Sequence, residues 1–235
     1  MSRDIVTDHH IGRVLDALER RGEIPREAFA AIEARAKVDP KRVAEIEARV
    51  HHDVNAFLDA LAEQIGPAAR YVHLGLTSSD VLDTCLALQM RDALDLCLVE
   101  CDRALAALEL RALEHKRTVC VGRTHGIFAE PTTFGLKLLK AWDELRRNRD
   151  RLARARDEAA VGKLSGAVGT FAHLDPSIEE EVLAGLGLRP AAISTQVTPR
   201  DRHAEVMCTL ALVAGSIEAF SVEVRHLARS DVGEV

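Results

Sequence analysis

Apolar residues along the chain fall mostly at steps of three and four. From Leu82 they recur at Leu86, Met90, Leu94, Cys97, Cys101, Leu105, Leu108 and Ala112 with no intervening Gly or Pro, which predicts one long helix. A second runs from Pro131 to about Ala160, with Phe134, Leu138, Ala141, Leu145 and Leu152 on one side. A third carries Val206, Leu210, Val213, Ile217, Phe220, Val224 and Leu227, a four-three alternation typical of a coiled-coil seam. Ahead of these, residues 9 to 36 read as two short helices parted by Gly22 and Pro25, and a longer helix is expected from Pro40 to Ile65, ended by Gly66 and Pro67. The fold class is therefore all-α: a bundle of long helices over 79–235 behind a small helical N-terminal domain over 1–78. Three such seams exceed what a thin three-helix layer can bury, so self-association is expected.

Composition agrees. Aromatics are only 3% of 235 residues while hydrophobics are 47%, which favours aliphatic helix packing over a sandwich or barrel. A formal net charge of −6 gives no global field for nucleic acid or an anionic membrane, so any phosphate site must be local. The most apolar stretches, such as Met207 to Ala214, read as too short to span a bilayer, and MSRDIVTDHH has no signal-peptide core. A cytoplasmic location is expected. Five cysteines without CxxC spacing read as reduced thiols, and nothing completes a metal set around Cys97 and Cys101. The run Arg146 to Asp157 interleaves arginines with Asp143, Glu144, Asp150, Asp157 and Glu158, the pattern of i,i+4 pairing on a solvated or intersubunit face.

Four polar clusters interrupt the helices: HHD at 51–53, HLGLTSSDVLDT at 73–84, GRTHGIFAEPTTFG at 122–135, and the stretch from Gly162 to Glu205. Singly each has a plain reading. TSSD is a good helix N-cap, GRTHG with EP is a turn leading to Pro131 at a first helical position, and His52 is a bundle hydrogen-bonding residue. Together, hydroxyls beside free helix N–H groups and three histidines in the connections describe an anion-binding, acid–base site. The residues by themselves lead no further.

GLTSSDVLDT, GRTHGIFAEPTTFG, GKLSGAVGT, and STQ followed by RDRHA resemble, in this order, the adenylosuccinate lyase branch of the fumarase/aspartase superfamily. The resemblance spans nearly the whole chain. It implies a helical homotetramer in which several subunits build each site, a small nucleotide substrate, no cofactor, no metal, and β-elimination of fumarate. It implies His125 as general acid, Thr77 and Ser78 at the succinyl carboxylates, and His51, His52, Asp53, His73 and Thr124 as further binding residues. It also implies Gln196 as the amide that reads the substrate, Arg200 or Arg202 against anionic groups, and Lys163 and Ser165 shaping the neighbouring wall. Two features depart from the family pattern. His51 stands where an arginine is more usual, and MSRDIVTDHH lacks the family's Arg-Tyr pair. The Gly-Ser-Ser loop that carries the family's catalytic base is not among these 235 residues, so little activity is expected of them alone. Other readings are another superfamily lyase, of argininosuccinate, aspartate or carboxymuconate type, and a non-catalytic oligomerisation module.

Overall fold

The computed structural model describes the backbone of residues 3–235 and the side chains of residues 10–235. The stretch MSRDIVTDHH, which lacks the family's Arg-Tyr pair, lies largely outside the described side chains. The chain divides into two compact units, residues 1–91 with 160–199, and residues 92–159 with 200–235. This partition by contacts falls inside a helix, thirteen residues beyond the boundary expected between 78 and 79.

The first unit holds α1 (Arg3–Arg20), α2 (Arg26–Arg35), α3 (Pro40–Val50), α4 (Asp53–Ile65), a 3-10 turn over Gly66–Tyr71, and the first turns of α5 (Ser78–Glu114). It also holds α7 (Pro176–Gly185) and a two-residue parallel pairing of Val161–Gly162 with Arg189–Pro190. Leu18, Ile65, Val81, Leu88, Leu164, Ile178 and Leu183 form its core. Here α5 does not bury a single stripe: Val81, Asp83, Thr84, Cys85, Ala87 and Leu88 are all inside, while Leu86 is exposed. A helix entering a core must satisfy its inward polar groups within the protein.

One helix was expected from Pro40 to Ile65, but the structure has two. His51 takes a left-handed conformation at φ 54° and ends α3, its N–H bonded to Glu47 O at 2.8 Å. His52 then caps α4, its ring Nδ1 accepting from Asn55 N at 3.2 Å. Neither Gly nor Pro marks this break.

The second unit holds the rest of α5, α6 (Phe134–Ala159) packed along α8 (Asp201–Leu227), and, connecting α5 to α6, an antiparallel hairpin of Val119–Thr124 (β1) and Ile127–Thr133 (β2). The hairpin corrects the expectation of a plain turn before a helix. Pro131 pairs with Val121 inside β2, and α6 begins at Phe134. The arginines of α6 also do more than pair along their own helix: Arg149 reaches Asp102 at 2.9 Å and Arg156 reaches Asp95 at 2.9 Å, both on α5. Toward α8, Asn148 donates to Ser216 Oγ at 2.8 Å, and Ser216 donates to Glu144 at 2.7 Å.

The seam on α8 is largely uncovered. Of its residues, Val206 and Leu227 are buried, whereas Ile217 is 54% exposed. Taken whole, α8 is also long and apolar enough, by length and composition, to cross a membrane, which the short Met207–Ala214 stretch did not reveal. All five cysteines are free thiols.

Candidate active site

In the first unit, the end of the 66–77 segment and the start of α5 bring His73, Thr77 and Ser78 together. Thr77 directly precedes the helix, and Asp80, in its first turn, reaches back to accept from Thr77 N at 2.9 Å, one half of a capping box. The hydroxyls of Thr77 and Ser78 thus sit beside helix N–H groups, where the helix dipole favours an anion.

His73 is half-buried. Burial pushes its pKa below the ordinary histidine value, against the pull of Asp80 and a hydrogen bond with the Thr77 backbone. Its Nε2 is buried without a hydrogen-bond partner. His73 lines a 150 Å³ cavity with Asp53, which brings the HHD cluster to the same place. Asp53 accepts from Val54 N at 2.8 Å and lies 3.6 Å from His52 Nδ1. Because His52 accepts at Nδ1, its ring proton sits on Nε2, a donor for a ligand.

Buried polar groups at the start of α5 tie this turn to the later loops. Asp80 Oδ1 pairs with Lys163 Nζ, both side chains fully buried, and Asp80 Oδ2 accepts from Gly166 N at 3.2 Å. Thr84 Oγ1 bonds both Lys163 N and Lys163 O, at 3.1 and 3.0 Å. Asp83 accepts from Thr198 N at 2.7 Å and Thr198 Oγ1 at 3.1 Å. Ser165 and Ser194 share a 2.8 Å hydrogen bond, which fixes the segment leading to Gln196. Gly169, at φ 79°, passes so close to Ser194 that an added Cβ would lie 2.1 Å from its carbonyl oxygen. Gln196 itself is exposed. Glu179, on α7, accepts from Leu164 N, and burial raises its pKa above the ordinary glutamate value. Lys163 and Ser165 are therefore internal struts and not an open wall.

Asp80, Asp83 and Thr84 were not singled out from the sequence. The available signal was their spacing: three polar side chains at i, i+3 and i+4 share one helix face, which otherwise buries Val81, Cys85 and Leu88.

In the second unit, Thr124 closes β1 and His125–Gly126 form the two-residue hairpin turn, Thr124 pairing with Ile127. Both turn residues have positive φ, 55° and 72°, the requirement of a type I′ turn. His125 is exposed at the tip. Two places up the strand, Arg123 donates to Glu234 at 2.7 Å and stacks 5.2 Å from the Phe128 ring, anchoring the hairpin near its tip. Arg202 is engaged with Glu158, through Oε2 at 2.8 Å and the backbone carbonyl at 3.3 Å. Arg200 is exposed beside the start of α8, with His203 at 3.4 Å. Among the described residues no cluster of three or more His, Cys, Asp or Glu side chains is placed to hold a metal.

A helical unit with hydroxyls at a helix N-terminus, and a second unit displaying a histidine on a hairpin, match a lyase family whose profile covers residues 13–235, and the chain belongs to that family. Its curated relatives include the adenylosuccinate lyases of Synechocystis sp., 54% identical over 222 residues, and of Aquifex aeolicus, 47% identical over 225 residues. Each alignment covers 94% of this chain and 52% of the relative, so the chain spans about half the length of the curated relatives it matches. Solved structures give the same fold. The 3-carboxy-cis,cis-muconate lactonizing enzyme from Pseudomonas putida superposes with TM-score 0.90 at 34% identity, over 98% of this chain and 54% of that one. A fumarate lyase from Mesorhizobium sp. BNC1 superposes with TM-score 0.89 at 29% identity, over 99% and 57%. The resemblance carried by the motifs and the all-α bundle are both borne out.

Proposed function

We propose that these residues form part of an adenylosuccinate lyase, which eliminates fumarate from adenylosuccinate to give AMP and from the succinylated imidazole-carboxamide ribotide of purine synthesis. The observation that carries this reading is the 54% identity to an adenylosuccinate lyase across 94% of the chain, against 34% to a lactonizing enzyme of the same fold.

In the reaction a base takes a proton from the succinyl carbon next to the C–N bond, and negative charge builds on the neighbouring carboxylate. The C–N bond then breaks as an acid protonates the departing nitrogen. Thr77, Ser78 and the N-terminus of α5 are proposed to hold the succinyl carboxylates, where oriented donors gain most as charge develops. His125, presented on a hairpin tip, is the proposed acid, and Thr124 beside it is proposed to bind substrate. His52 Nε2, Asp53 and His73 orient the ligand, Gln196 reads it, and Arg200 or Arg202 meets an anionic group. His51 is the C-cap of α3, and its ring is the remaining candidate near the phosphate.

The base is proposed to come from a segment outside these 235 residues, and little turnover is proposed for them alone. The uncovered apolar faces of the second unit support self-association, and the assembly is proposed to be a homotetramer with shared sites, acting on a small molecule in the cytoplasm. Turnover by the complete gene product, read as fumarate release from adenylosuccinate, argininosuccinate and aspartate and as loss of diene absorbance for a carboxymuconate, tests the assignment. Turnover confined to one of the other three substrates overturns it.

A further inference from the structure

We infer that Asp80 and Lys163 are positioning residues: a buried ion pair that sets the Thr77–Ser78 turn against the Gly166 loop, and through it the segment leading to Gln196. The inference rests on the proposed lyase only for the identity of the ligand.

A buried ion pair is a poor device for stability alone, because the cost of dehydrating both charges offsets much of their attraction. Its value lies in directed bonds. Asp80 uses both oxygens: Oδ1 takes Lys163 Nζ, and Oδ2 takes Thr77 N at 2.9 Å and Gly166 N at 3.2 Å. Lys163 Nζ also donates to Gly166 O at 3.2 Å, so both polar groups of that residue are fixed by the same pair. Gly166 has a left-handed backbone at φ 80°. Thr84 holds the lysine backbone from the next turn of α5. An apolar pair of equal volume would fill the space without specifying these orientations. The orientation is passed on through Ser165 to Ser194 and through the close approach of Gly169 to Ser194.

Both side chains have zero exposure, so neither touches ligand. They act through Thr77, Ser78 and the 163–169 loop.

The test is made on the full chain in its assembled form. The double variant Asp80→Asn with Lys163→Met removes both charges of the pair together, with the buried Glu179 still beside the site. It is expected to keep the wild-type helical content and a Tm within a few degrees. Amide hydrogen exchange at Thr77 and Gly166 should accelerate at least tenfold while α1 and α7 stay protected, and calorimetric affinity for adenylosuccinate should fall at least tenfold. Wild-type exchange and affinity in the folded double variant overturn the inference. Should the double variant not fold, Asp80→Glu decides, since it keeps the charges paired but lengthens the strut. Several-fold weaker binding supports the inference, and wild-type binding overturns it. If the unaltered chain binds no adenylosuccinate, the lyase reading loses support, while the exchange measurement still decides the role of the pair.

Discussion

His125 carries two demands at once, a backbone demand and a chemical one. At φ 55° it occupies the first turn position of a type I′ hairpin, which Asn fills best and which penalises β-branched side chains. The two demands separate by substitution. His125→Asn in the complete enzyme should cut fumarate release by about a hundred- to ten-thousandfold, the worth of a general acid, with Tm at or above wild type. His125→Val should lose both turnover and stability. Full turnover by the asparagine variant would remove His125 from the mechanism. Glu179 offers a second test, of stability and not chemistry. Its folded-state pKa is raised because burial disfavours the carboxylate. The unfolded chain therefore loses this proton first as pH rises past about 4.3, and native stability declines from there through the folded-state value. Glu179→Gln, whose amide oxygen still accepts from Leu164 N, should raise Tm at pH 7. The gain should vanish as pH falls to about 4. Thermal melts across pH check the sign.

Among the elements, the long helices were legible because period and length agree, whereas the break at 51–52 and the hairpin were not. The break lacks Gly or Pro, so the apolar spacing reads straight through Val50 and Val54. What ends α3 is a histidine in the left-handed region, a conformation the sequence does not announce. Gly is the preferred residue there, and His51→Gly should stabilise the chain by about 1 kcal/mol, raising Tm by about 2–4 °C in calorimetry. An unchanged or lowered Tm would show that the His51 ring contributes more than its backbone costs. The hairpin is masked in the sequence for other reasons. β2 is exposed over most of its length and so shows no alternation, Pro131 argues against a strand, and the register shifts between Val121 and Arg123. The site was half legible. Residues that would touch ligand stood out as polar interruptions, but Asp80, Asp83 and Thr84 looked like an ordinary helix start. Their partners lie about a hundred residues away or at the far end of a loop, a separation no local pattern encodes.

For the whole molecule, the question is what covers the second unit. Leu96, Val99, Leu110 and Leu113 on α5 and Met207, Leu212 and Ile217 on α8 are all at least 54% exposed, and a cleft of 1320 Å³ opens among α5, α6, α8 and the hairpin. Apolar surface on this scale on several helices is not a stable solvent face. Lipid is a poor occupant: Glu223 of α8 pairs with Lys137 at 2.7 Å, and Ser216 bonds Glu144, so ionised groups line the flank that meets α6. Other copies of the chain fit the exposed flank, helix against helix, in the symmetric arrangement usual for bundles. Leu110→Glu and Leu212→Glu would each place a charge in such an interface, and burying an unpaired carboxylate there costs more than the contact returns. Sedimentation equilibrium should therefore show the unaltered chain as an oligomer and each variant as smaller species. Variants that keep the wild-type mass would place the association surface elsewhere on the molecule.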